Sequence, residues 1–251
     1  MLVRDVYEFL NGIAPFSTSE SWDNSGLILG SMNLKSDKIM LALDITRNVV
    51  DEAIKNNVDL IITHHPVIFS PIKILDYDSN IARLIAANVS VISSHTCFDA
   101  AQGGMNDILC KKLDLVNIKS VTTDEGFSFR LGTVKTPISA KEFAKHTSEI
   151  LNSKCVNCSL GEKTVKSVAV CSGAGGSLCE LVVKLGVDAF VTGELKYNNV
   201  IDLYEAGISA IVAGHFETEQ IFKEELRIQL TEKFKDVTVI TAKEDAYLTG
   251  V

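Results

Sequence analysis

Long apolar runs are missing from these 251 residues. None approaches the roughly 20 consecutive residues that carry a helix across a bilayer, so no membrane span is expected. The opening stretch Met1-Leu2-Val3-Arg4-Asp5 shows neither the charged nor the apolar region of a secretory leader, and a cytoplasmic location is expected. Basic clusters are also missing: no Lys/Arg run is longer than Lys111-Lys112, the net charge is −8, and the pI is about 5.2. Nucleic-acid binders display a basic domain or stripe, so nucleic acid is not an expected partner. An acidic chain can still hold a small anionic metabolite through a metal or a nest of backbone amides. There is no Pro-rich linker and no low-complexity segment; proline occurs four times. The six cysteines form no disulfide framework and suit reduced thiols. Cys155-Val156-Asn157-Cys158 has no second pair to complete a zinc site, and reads as structural in preference to redox-active. What is present is ordinary globular composition, 46% hydrophobic and 22% charged, sufficient for one large domain or two small ones.

Short apolar runs alternate with helical patterns. Ile39–Asp44, Asp59–Thr63, Val89–Ser94, Val165–Cys171, Asp188–Thr192 and Ile208–Ala213 read as buried strands. Thr46–Asn56, Ser79–Asn88, Gly176–Gly186, Tyr197–Ala206 and Thr218–Thr231 carry apolar residues at helical spacing. Such alternation predicts an α/β fold with mostly parallel sheets. Asn57 and Gly186 fall where helix C-caps belong. Ser139–Leu151 reads as a helix with Ser139 and Glu142 as a capping box, preceded by a strand over Phe127–Lys135.

The chain also repeats itself. Val49–Thr63 resembles Leu178–Thr192, with Asp59 answering Asp188, an offset of 188 − 59 = 129. The next strand of each half leads to a histidine with an acid four residues on, His95/Asp99 and His215/Glu219, an offset of 215 − 95 = 120. Two related α/β units are expected, residues 1–122 and 123–251, with the C-terminal segment returning to the site.

Histidine is scarce, five in all, and four of the five lie at strand ends: His64 and His65 after Thr63, His95 after Ser94, His215 after Gly214. The fifth, His146, lies within the predicted Ser139–Leu151 helix and reads as structural. Ligands of open α/β sheets gather at the carboxyl ends of the strands. Histidine is the commonest metal ligand among side chains, and these imidazoles with two carboxylates supply donors for two divalent cations. Neighbouring imidazoles on a turn are expected to diverge, so His64 and His65 would each reach a different ion. Asp99 can complete one ion's set. Glu219, one helical turn after His215, faces the same side and can bridge two cations. Mixed imidazole and carboxylate ligation suits Zn, Fe(II), Mn or Co. Two such ions about 3.5–4 Å apart can share and deprotonate a water.

Several stretches resemble the NIF-three-like (NGG-one-interacting-factor-three) proteins, also called GTP cyclohydrolase 1 type 2 homologues. They are Trp22-Asp23-Asn24-Ser25-Gly26-Leu27, Leu41-Ala42-Leu43-Asp44-Ile45-Thr46, Thr63-His64-His65-Pro66, Ser94-His95-Thr96, Asp99-Ala100-Ala101, Gly103-Gly104-Met105-Asn106-Asp107, Gly173-Ala174-Gly175-Gly176-Ser177, Gly214-His215 and Thr218-Glu219. The resemblance runs nearly end to end. It implies a dinuclear metal site between the two α/β units, with His64, His65, Asp99, His215 and Glu219 as ligands and Glu219 bridging. His95 is implied as a nearby site residue; it and Glu219 are the catalytic candidates. A toroidal homohexamer is implied as well, with the sites facing an inner cavity. The inserted middle domain of longer relatives has no room here. Where the family often has Asn-Leu before the aspartate, this chain has Cys97-Phe98, read as a packing feature.

Trp22, the only tryptophan, either anchors a turn as a buried indole or lines the site. Gly173–Ser177 could cradle a phosphate on its backbone amides, or be a tight turn; it lacks the Lys-Ser/Thr of a P-loop. Glu194 and Lys196 follow their strand as His64 and His65 follow theirs, and are candidate substrate-side residues. The expected function is a metal-dependent hydrolase that uses a metal-bridging hydroxide on a small substrate. The resemblance points to a purine nucleotide such as GTP; the same ligands would serve phosphoester hydrolysis. The alternative is a non-enzymatic metal-binding ring with a regulatory or scaffold role.

Overall fold

The structure is a computed structural model that describes residues 1–123, 126–154, 156–159, 161 and 164–247; Cys155 of the C-x-x-C pair lies outside them. The chain divides into two compact units, Met1–Gly104 with Phe222–Asp245, and Met105–Ile221 with Ala246 and Tyr247. The expected boundary at 122/123 falls at the end of a strand inside the second unit.

The first unit opens with α1 (Val3–Ile13), which buries Val3, Val6 and Leu10 at helical spacing. Then follow β1 (Gly26–Leu29), β2 (Lys38–Ala42), α2 (Arg47–Lys55), β3 (Leu60–Thr63), α3 (Asn80–Ala86), β4 (Ser90–Ser93) and the short α4 (Thr96–Ala100). Side chains set the helix starts: the hydroxyls of Thr46 and Ser79 accept from the N–H groups of Val49 and Ala82. Asn57 leaves α2 at φ +52°.

The second unit runs α5 (Met105–Lys112), β5 (Val116–Thr122), β6 (Ser128–Ser139), α6 (Ala140–Leu151), β7 (Asn157–Ser159) and β8 (Thr164–Ala174). It continues with α7 (Cys179–Leu185), β9 (Ala189–Glu194), α8 (Tyr197–Glu205), β10 (Ser209–Val212) and α9 (His215–Glu219). The Ser139/Glu142 capping box forms as expected, and Gly186 ends α7 at φ +63°. The chain then re-enters the first unit as α10 (Phe222–Lys233) and β11 (Thr238–Thr241). One helix expected over Thr218–Thr231 is therefore two, because its ends belong to different units.

Sheet order is β1-β4-β3-β2-β11 in the first unit and β5-β6-β8-β9-β10-β7 in the second. The parallel pairs are those read from the buried runs: β2–β3 and β3–β4, β8–β9 and β9–β10, with β11 added parallel to β2. Antiparallel strands flank them: β1 on β4, β7 on β10, and β6 and β5 beyond β8. In the second unit both faces of the sheet are covered, one by α5 and α6 through Leu109 and Phe143, the other by α7 and α8 through Val182 and Leu203. Burial on both faces explains why its central strands read as continuous apolar runs.

Strand register refines the repeat. Leu60 pairs with Ser90 in one sheet and Ala189 with Ser209 in the other. The offsets are 189 − 60 = 129 and 209 − 90 = 119, so His95 and His215, 120 apart, differ by one position. His95 is the N-cap of α4, whereas His215 is the first residue of α9. Among the described residues no helix is long and apolar enough to cross a membrane.

Candidate metal centre

In the first unit the site grows from three strand ends. β3 delivers His64 and His65, β4 delivers His95, and β2 ends two residues before Asp44. The ring centroids of His64 and His65 are 5.2 Å apart, those of His64 and His95 5.1 Å, and those of His65 and His95 5.4 Å. Each ring offers a ligand atom within 4.8 Å of the others. The neighbouring imidazoles therefore converge, against the expectation that they diverge. The cause lies in what holds their other nitrogens. His64 Nδ1 lies 3.0 Å from the Ser94 carbonyl oxygen, and His65 Nδ1 lies 2.9 Å from Asp44 Oδ1. His95 Nδ1 lies 2.9 Å from Asp23 Oδ1. Carbonyl and carboxylate oxygens only accept, so each Nδ1 carries the hydrogen and each neutral ring turns its lone pair to Nε2.

Asp99, on α4, places Oδ1 3.5 Å from His64 Nε2. The i, i+4 relation of His95 to Asp99 thus does not pair those two side chains: His95 turns to Asp23. The Asp23 side chain is wholly buried. Burial pushes its carboxyl up, but hydrogen bonds from His95, Thr96 and Ser25 outweigh this and hold it well below the ordinary carboxylate range.

In the second unit His215 and Glu219 stand on α9. His215 Nε2 and Glu219 Oε2 are 3.0 Å apart, as one helical turn predicts, while His215 Nδ1 is held 3.0 Å from Glu194 Oε1. Two glycines give α9 its position. Gly173 adopts φ +57° with Glu219 against the place a Cβ would occupy. At Gly193 a Cβ would lie 2.6 Å from the Gly173 oxygen and 2.8 Å from both His215 Cα and Thr218 Oγ1. The Thr218 hydroxyl accepts from Gly173 N–H at 3.1 Å. Gly173 and Gly193 thus let α9 approach β8 and β9.

Among the sequence-derived candidates, His64, His65 and His95 form a cluster that could hold a metal ion, Asp99 stands beside His64, and His215 faces Glu219. Glu194 is the partner of His215, and Lys196 is exposed at the N-cap of α8. Trp22 is half exposed, so it is no buried anchor. His146 lies apart, 3.4 Å from Asp114, consistent with a structural role. Cys97 is fully buried with Sγ 3.6 Å from Ser94 Oγ, a packing position.

The sequence reading gave Asp23 and Asp44 no role although both stood in its motifs; Asp44 follows a strand end just as the histidines do, and that position was the available signal. The Ser94 carbonyl left no signal, being backbone. Nor did Glu244, whose carboxylate accepts from the N–H groups of Leu43 and Asp44 and pairs with Lys223 Nζ at 2.9 Å, fixing the segment that presents Asp44.

Comparison with known proteins shows the family. The chain matches the family described as Duf34/NIF3 (NGG1p interacting factor 3) over residues 1–246, and it belongs to that family. It is 33% identical over 237 residues to a GTP cyclohydrolase 1 type 2 homolog of Campylobacter jejuni, covering 89% of this chain and 90% of that one. It is 35% identical over 233 residues to the GTP cyclohydrolase 1 type 2 of Helicobacter pylori strain J99, covering 88% of each. The fold superimposes on Staphylococcus aureus hypothetical protein SA1388 with a TM-score of 0.91 at 25% identity, covering 100% of this chain and 99% of that one.

Proposed function

We propose that this protein is a dinuclear metal-dependent hydrolase. Its ligands would be His64, His65 and Asp99 from the first unit and His215 and Glu219 from the second, with Glu219 bridging and His95 close by. The observation that carries the reading is the fixed orientation of four imidazoles: each Nδ1 is held by a carbonyl or carboxylate oxygen, so Nε2 is the nitrogen each ring would turn to a cation. Metal-binding histidines have this outer arrangement as a rule. Imidazole with carboxylate donors suits Zn, Fe, Mn or Co in preference to Mg or Ca. When bound, such ions supply Lewis acidity and an activated water at neutral pH.

The chain's own residues do the rest. Asp23, Asp44, Glu194 and the Ser94 carbonyl hold the rings so that no reorientation is needed on binding. Glu219, 5% exposed, and His95 are the groups that would hold or move a proton for the substrate. The names of the relatives support a nucleotide such as GTP as substrate; phosphoester cleavage is the second chemistry to test.

We propose further that six copies assemble as a ring in the cytoplasm. Supporting self-association, Ile72, Ile74, Leu75 and Tyr77 lie exposed in one stretch, Ile74 at 88% and Tyr77 at 97%.

The test is metal analysis and a hydrolase panel on the same preparation, scoring GTP, phosphomonoesters, phosphodiesters and cyclic amides. Two equivalents of a transition metal per chain and turnover abolished in His65→Ala and Glu219→Ala are expected. Turnover that survives loss of metal overturns the proposal. Metal-loaded rings without turnover favour the scaffold alternative.

A further inference from the structure

We infer that Trp22 and Phe69 form a stacking platform that binds a planar heteroaromatic ring beside the histidine cluster. The inference rests on the proposed hydrolase for its meaning, since it names the kind of substrate that site would take. The two rings are stacked, with centroids 5.8 Å apart and planes 18° from parallel. Each meets His95 edge to face, Trp22 at 5.8 Å and 76°, Phe69 at 5.7 Å and 78°. Trp22 is 50% and Phe69 49% exposed, so an aromatic pair of large area stays open to solvent next to the candidate metal ligands.

Such a pair carries an apolar cost that surface loops ordinarily avoid, and the surroundings show it to be built. The loops bearing the two rings are tied together where Asn24 Nδ2 donates to the Ile68 oxygen at 2.7 Å. The indole Nε1 donates to Glu20 Oε2 at 2.6 Å, which fixes the ring plane. His95, the edge on which both rings rest, is itself fixed by buried Asp23. The platform is thus held in place before any ligand arrives. Extended π-faces accept any planar base or fused ring, offset or parallel, and do not select among them by hydrogen bonding. Recognition of this kind suits a heterocycle whose reactive carbon or substituent is to be placed at the histidines.

Because Trp22 is the only tryptophan, its emission reports the platform directly. Metal-stripped protein would be titrated with guanosine, adenosine and cytidine, with ribose 5-phosphate as the non-aromatic control. Saturable quenching by the nucleosides and none by ribose 5-phosphate is expected. Phe69→Ala should weaken nucleoside binding on the order of tenfold while Phe69→Tyr retains it. Binding to Trp22→Leu, followed by calorimetry, should fall similarly; both side chains are half exposed, and circular dichroism checks that the variants fold. No saturable quenching by any nucleoside overturns the inference. So does a Phe69→Ala variant that binds normally, or one that instead changes the number of subunits in the assembly, which would make the pair a contact between copies. Quenching without turnover of any substrate leaves the platform standing and removes the hydrolase; turnover without quenching does the reverse.

Discussion

Asp59 and Asp188, 129 positions apart, do the same work in the two units. Asp59 Oδ2 accepts from the backbone N–H groups of Asp37 at 2.9 Å and Lys38 at 2.8 Å, pinning the start of β2 to the start of β3. Asp188 Oδ2 accepts from Lys166 at 3.0 Å and Ser167 at 2.8 Å, pinning β8 to β9. Each carboxylate sits at the strand end opposite the histidines. It sets the register that decides where those histidines emerge. Asp59→Ala and Asp188→Ala should each cost about 1–3 kcal/mol, the scale of leaving backbone donors without their acceptor. Urea unfolding of the two variants measures it; a change below a few tenths in both would show the clamp to be incidental.

Asp44 should govern metal affinity without touching the ion. Asp44→Asn leaves the shape of the side chain but weakens the bond that orients His65, and a 10–100-fold loss of affinity is expected, roughly the effect of altering an outer partner of a ligating histidine. Competition against a chromophoric chelator reads this out. Glu194→Gln should act likewise through His215.

Gly193→Ala would drive a methyl group into the Gly173 oxygen, His215 Cα and Thr218 Oγ1. Overpacking of this kind costs about 1–3 kcal/mol. Because α9 is the element displaced, the variant should lose metal more completely than it loses stability. Equal metal content in variant and parent would contradict the role given to this glycine.

Arg130 and Asp107 form a buried ion pair in the second unit, Nε to Oδ1 2.5 Å, with Arg130 also donating to the hydroxyls of Ser120 and Ser128. Asp107→Ala strands a buried guanidinium and should destabilise by about 3 kcal/mol, at the low end for a broken buried pair because the hydroxyls remain. Denaturant midpoints decide it.

Thiol chemistry should divide sharply. Burial, reinforced by the charge of Asp107, pushes the Cys110 thiol up to about 12, and burial with the charge of Asp202 pushes Cys179 up to about 11. Raised values mean fewer thiolates, so at pH 8 neither should react with an alkylating reagent in the folded protein, whereas Cys158 is exposed and should. Labelling of Cys110 should rise steeply only as the pH approaches 12. Mass spectrometry of peptides from native and unfolded samples tests the assignment.

The parallel heart of each sheet was legible because strands buried on both faces leave uninterrupted apolar runs such as Leu60–Thr63 and Ala189–Val191. The flanking β1, β5 and β7 were not. Edge strands alternate burial, as β5 does, or are too short to carry a pattern, as β7 is. The site histidines were legible through their scarcity and their place at strand ends. Phe69 was not, since nothing in its own neighbourhood sets it apart from other loop aromatics.

The sequence by itself determined which side chains stand at the carboxyl ends of the strands, because local apolar patterning fixes where each strand stops and the next residues emerge. Only tertiary structure decided which way they face. The Nδ1 partners of His65 and His95 lie 21 and 72 residues away in the chain, and the Ser94 carbonyl behind His64 is backbone. Ring orientation is a matter of single hydrogen bonds across loops brought together by sheet pairing, and spacing along a chain carries no record of them.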